Sequence, residues 1–109
     1  MDFNEWPPLH DAVVDSLCVR WPGGIATISM ETSTEKLEIV ATGLKLLSCP
    51  QDYPWGTAKY LYVNDVRLTE TGHERVRLEL ETQGGDLIVL EAADITLRLQ
   101  RPSQRRQQT

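Results

Sequence analysis

Few side chains in this sequence could do chemistry. His10 and His73 supply the imidazoles, and Cys18 and Cys49 supply the thiols. A nucleophile needs a base beside it, yet there is no Gly-x-Ser-x-Gly elbow. There is also no P-loop and no Gly-x-Gly-x-x-Gly stretch. Zinc asks for four nitrogen or sulfur ligands, usually at close spacing, and these four residues are scattered. The sequence therefore predicts no catalytic residue, no metal site and no cofactor. The two cysteines read as buried, reduced thiols, because a free cysteine packs like a small hydrophobe.

Two places remain as binding candidates. The first is His10-Asp11, which could form an acid–base pair at a pocket mouth. Neighbours in an extended chain point to opposite faces, so the preferred reading is structural. Asp11 caps a turn that launches the first strand, and His10 bonds a nearby backbone group. The second is Tyr53-Pro54-Trp55-Gly56. Tyr53 and Trp55 on a proline-stiffened loop fit an interface anchor, since both residue types concentrate at hot spots. The alternative is that Trp55 plugs one end of the domain. Trp6 and Trp21 read as core or core-edge residues. Glu79 and Glu81 share a strand face with Arg75 and Arg77, which predicts a solvated, charge-mixed surface. His73 follows Gly72 in a polar turn and reads as solvated.

The elements that must carry these residues are strands. Ala12 to Trp21 places Val13, Leu17, Val19 and Trp21 on one face at period two, with Asp15 interrupting it. Trp21-Pro22-Gly23-Gly24 is a turn signal, with proline presetting one φ and glycine supplying a positive one. Ile25 to Glu31 alternates, with Ala26, Ile28 and Met30 on one side. Lys36 to Ala41 follows, and Gly43 breaks or bulges it before Leu44 to Leu47. Lys59 to Thr69 alternates through Tyr60, Tyr62, Val66 and Leu68, with Asn64 the exception. Val76, Leu78 and Leu80 alternate with charged residues. Gln83-Gly84-Gly85-Asp86 makes a hairpin into Leu87 to Glu91 and then Ile95 to Leu99, parted by Ala92-Ala93-Asp94. No internal repeat is apparent. The expected fold is mainly β: a single antiparallel meander of about seven strands forming a sandwich or partly open barrel. It spans residues 1–100, with 101–109 a disordered basic tail.

The bulk numbers bound the partners. The chain has 109 residues, one domain's worth, with 40 % hydrophobic and 25 % charged residues and a net charge of −5. Arg101, Arg105 and Arg106 sit in the tail, so the body is more acidic than the total. An acidic body suits neither nucleic acid nor anionic lipid; it suits a basic protein partner. No apolar run approaches the ~20 residues of a membrane helix. The acidic start, Met1-Asp2-Phe3-Asn4-Glu5, is not a secretory signal. These features predict a cytoplasmic protein.

Leu9-His10-Asp11-Ala12, followed by Val14, Leu17 and Val19 and then a Trp, resembles small bacterial proteins that begin with a His-Asp-Ala motif. Leu37 to Leu44 and Leu87 to Leu99 fit the later strands of that group. Some members are immunity proteins of toxin systems, in the group called immunity protein 50, and others are uncharacterised. The resemblance covers most of residues 9–99 and brings no catalytic residue with it. It implies a non-enzymatic protein-binding module, an immunity protein that neutralises a basic toxin. Two alternatives stay open: a small-ligand-binding β-barrel or minor enzyme using His10 and Asp11, and a homo-oligomeric module, such as a homodimer, that pairs an edge strand across a two-fold.

Overall fold

The structure is a computed structural model that describes residues 6–50, 61–72 and 74–100. Tyr53, Trp55, Tyr60, His73 and the tail at 101–109 lie outside the described residues. The chain is all-β, as expected. The described residues form six strands: β1 (Val13–Arg20), β2 (Ile25–Glu31), β3 (Lys36–Ser48), β4 (Leu61–Glu70), β5 (Val76–Thr82) and β6 (Leu87–Gln100). They close into one antiparallel ring in the order β1-β2-β3-β6-β5-β4. The ring is two three-stranded meanders, β1–β3 and β4–β6. Exchanging the meanders leaves the strand order unchanged.

Two seams join the meanders. The first is long: β3 and β6 pair from Lys36–Gln100 to Ser48–Val89. The second is short: β1 and β4 pair at Val13–Tyr62 and Val14–Leu61. The strands are strongly staggered. From Val13 one way round, the pairing runs through Glu31 and Lys36 to Gln100, at one end of β6. The other way, it runs to Tyr62, whose neighbour Val63 pairs with Thr82, and on to Asp86, beside the opposite end of β6. Such a stagger means steeply tilted strands, which lets a six-stranded ring close on a narrow core.

Side chains fill that core. Ala26, Ile28, Leu37, Ile39, Ala41, Val63, Leu78, Leu80, Leu90 and Ala92 have no solvent exposure. Each large aliphatic among them contributes roughly 1.5–3 kcal/mol of burial. Their strands alternate inward and outward as the sequence predicts.

The number of strands is close to the expected seven. The difference comes from one bend. Gly43 on β3, with φ 66, lies beside Ala93 on β6, since Thr42 pairs with Asp94 and Leu44 with Ala92. The break at Gly43 and the break at Ala92-Ala93-Asp94 therefore coincide. Both strands bend together and stay paired, so each continues as one long strand.

Four expectations about facing are corrected. Asp15 and Asn64 are bulge residues, skipped in the pairing between Val14 and Ser16 and between Val63 and Asp65. A bulge adds one residue and flips the inward phase. Val14, not Val13, therefore joins Leu17 and Val19 against the core, and Val63 is buried while Tyr62 faces out. Asp15 and Asn64 hold corresponding places in the two meanders, each just past the short seam. Cys18 is exposed, because its neighbours Leu17 and Val19 point inward. Trp21 is 85 % exposed, because β1 ends at Arg20 and the tryptophan begins the turn beyond the barrel. Trp6 packs against the core, as expected, and so does Cys49, whose thiol burial pushes above its ordinary pKa.

Candidate functional site

His10 and Asp11 sit on a strap, residues 6–12, that precedes β1. Leu9 is buried and Trp6 packs on the core, which anchors the strap. Pro7 and Pro8 keep it extended. It ends in a tight turn in which the Ala12 N–H donates to the Leu9 carbonyl at 3.0 Å. Asp11 closes the turn in the left-handed region, at φ 72, a conformation an Asp side chain tolerates better than most.

That turn is fastened to β4. The Asp11 N–H donates to the Val63 carbonyl at 2.8 Å, and the Val63 N–H donates to the Ala12 carbonyl at 2.9 Å. A third element completes the fastening. The Gln83 side-chain amide donates to the Asp11 carboxylate and to the Val63 carbonyl, and its backbone N–H donates to Tyr62. Asp11 thus extends the short seam by a turn. The local cap expected of Asp11 is not what its carboxylate makes: its hydrogen bond comes from Gln83, far along the chain.

The expected divergence of the two side chains is overturned. The left-handed Asp11 folds the chain back, and His10 Nδ1 lies 3.3 Å from Asp11 Oδ2. His10 meets that carboxylate and not a backbone group. Their side chains are 62 % and 69 % exposed, so the pair itself contributes little to stability.

The strap stands as a ridge between two hollows. One, of about 360 Å³, lies between Trp6–His10 and Asn64–Val66. The other, of about 500 Å³, lies between Pro7–Ala12 and the Thr32–Glu35 turn. Thr32 fixes that turn: its hydroxyl accepts from the Glu35 N–H at 3.1 Å and the Thr34 N–H at 3.3 Å. His10 borders both hollows. In the second, Asp11 and Glu35 place two carboxylates that meet no lysine or arginine among the described residues. Among the described residues, no group of three or more His, Cys, Asp and Glu is arranged to hold a metal ion. Among the described residues, no hydrogen bond joins His10 to the hydroxyls of Thr32, Ser33 or Thr34. This hollow can attract cations more readily than it can activate a nucleophile.

The charge-mixed face expected around Glu79 and Glu81 is a connected ladder. Arg77 bonds Glu79 at 2.8 Å and Glu91 at 2.7 Å; Arg67 bonds Glu79 at 3.2 Å and Asp65 at 2.7 Å; Arg75 reaches Glu91 at 3.0 Å. Hydrogen bonds from Arg77 first, then from Arg67 to Glu79 and from Arg75 to Glu91, hold both carboxyls below their ordinary range. The ladder satisfies its own charges and leaves little for a ligand. Gln83 and Glu35 are the site residues that sequence reasoning missed. Each reads as an ordinary turn residue, and nothing local marks the bond between Gln83 and Asp11, 72 residues apart.

The ring of six strands has a counterpart among solved structures. A crystal structure of an uncharacterized protein from Neisseria gonorrhoeae superposes with a TM-score of 0.64 over 82 % of this chain and 91 % of that one, at 14 % identity. At that identity the likeness concerns the fold. No family model matches the chain, and no curated protein matches it. Among the described residues, no helix is long and apolar enough to cross a membrane.

Proposed function

We propose that this protein is a non-enzymatic protein-binding module that acts in the bacterial cytoplasm, an immunity-type protein that masks a basic toxin. The observation that carries this reading is the second hollow, where Asp11 and Glu35 present carboxylates that meet no lysine or arginine among the described residues, on a chain of net charge −5. Complementary charge speeds encounter and fixes orientation. Supporting it, the barrel interior is occupied by its own aliphatic side chains, which leaves the outer hollows as the places to bind. The test is capture from lysate of the source organism with the wild type and with Glu35→Gln. One basic protein, held stoichiometrically, released as salt rises and held less by Glu35→Gln, supports the reading. Capture that ignores both salt and the substitution sinks it.

The contact between His10 and Asp11 favours a second reading, a small ligand bound at the ridge or a minor enzymatic activity there. A His10→Ala protein that keeps its fold and loses binding of a ligand found by screening would support it. Unchanged binding would remove it.

A further inference from the structure

We propose that the β1–β2 tip and the second hollow are two halves of one interface that joins copies of this chain head to tail. Trp21 is 85 % exposed, on a tip that is held in place. The Gly24 N–H donates to the Trp21 carbonyl at 3.1 Å, and the Gly24 carbonyl accepts from Leu44 at 2.9 Å. A large aromatic presented on a fixed turn has the character of an interface anchor.

The charges around it point the same way. Among the described residues, Lys36, Arg67, Arg75, Arg77 and Arg98 all form ion pairs, whereas Arg20 and Lys45 form none. Arg20 directly precedes Trp21. Lys45 directly follows Leu44, the residue bonded to the tip. The tip thus presents an aromatic, and the residue before it and the residue after its Leu44 partner carry cations that form no ion pair among the described residues. The second hollow supplies the complement: Pro7 and Pro8 rings for the indole face, and for the cations the Glu35 carboxylate, beside an Asp11 already held by Gln83 and His10.

One molecule cannot bring these together. The tip lies at the start of β2 and the Thr32–Glu35 turn at its end, separated by a strand of about 23 Å at ~3.3 Å per residue. The complement must come from another copy. The contact is between unlike surfaces, so it continues into chains or rings instead of stopping at a two-fold dimer. It is small, so the association is weak and concentration-dependent, and salt weakens it.

The inference uses the hollow but not the identity of any partner, and purified protein alone tests it. Light scattering over a dilution series should show a mean mass that rises with concentration and falls with added salt. Trp21→Ala and Glu35→Lys should each remain monomeric at every concentration, with thermal unfolding unchanged. Mixed together, they should form a one-to-one dimer and nothing larger, because one keeps the hollow and the other keeps the tip. Arg20→Glu serves as the tip variant if Trp21→Ala does not fold. A wild type that is monomeric throughout, variants that still associate, or a mixture that stays monomeric would overturn the proposal.

Discussion

The two seams that close this ring do the same topological job with very different means. The β3–β6 seam runs the length of both strands, carries the shared bend at Gly43 and Ala93, and sets Leu37, Ile39 and Ala41 against Leu99, Leu97 and Ile95. The β1–β4 seam has two paired positions, and both strands bulge just beyond them. It is prolonged by the Asp11 turn and by the reach of Gln83, which are polar contacts at the surface. A closed ring needs each seam, but it needs only one to be strong. The other is then free to carry a left-handed aspartate, an exposed histidine and two hollows. The candidate site sits on the seam that holds the barrel less.

The largest effect should come from the strong seam. Leu90 has no exposure and lies in register with Leu47 and Leu78. Leu90→Ala should cost about 2–5 kcal/mol in urea unfolding. A loss below about 1 kcal/mol would mean the long seam is not where stability resides. Next is the bend. A Cβ at Gly43 would stand 2.8 Å from the Ala93 Cβ, on a backbone with φ 66, so Gly43→Ala should lose roughly 1–3 kcal/mol. Adding Ala93→Gly should recover the steric part and leave the backbone strain; no recovery would show that the close approach does not matter.

The weak seam should respond less, and locally. Gln83→Ala removes two hydrogen bonds and should cost about 1 kcal/mol overall. Hydrogen exchange at the Asp11 and Val63 amides should quicken, while exchange within the β3–β6 ladder stays as it was. Uniform quickening would erase the distinction between the seams. The smallest effect belongs to the Arg–Glu ladder. Glu79 and Glu91 are held below the ordinary carboxylate range in the folded protein. Their contribution is therefore present above the unfolded carboxylate pKa, about 4.3, and disappears as pH falls through the lower folded value. The melting temperature of Glu79→Gln should lie below that of wild type at pH 7, and the gap should close as the pH is lowered toward about 3. An offset that persists at acid pH would assign the loss to packing instead of charge.

The strands and their turns were legible in the sequence because alternation and glycine-rich turns are local signals. The interruptions were legible too, at Asp15, Asn64 and Gly43, but not their meaning. A polar residue in an apolar face looks the same whether it is tolerated or is an inserted bulge residue that flips everything after it, and the partner strand decides which. Two breaks that lie far apart in sequence merged into one bend because Gly43 and Ala93 are neighbours across a seam. His10 and Asp11 could be named as a pair, but their contact depended on one positive φ that no spacing announces. Gln83 and Glu35 had no signal at all, since what distinguishes them is what folding brings alongside. Trp21 was misplaced by a single residue of strand length.

The construction from two meanders also has a consequence in time. Within each meander, successive strands pair across short turns, so those contacts close small loops. The seams join residues such as Lys36 with Gln100 and Val13 with Tyr62, whose approach costs far more chain entropy before it is repaid. The hairpins should therefore form early and the ring last. The rate of the whole, on the order of milliseconds to seconds for a topology this rich in distant pairings, is set by the meeting of two half-built sheets.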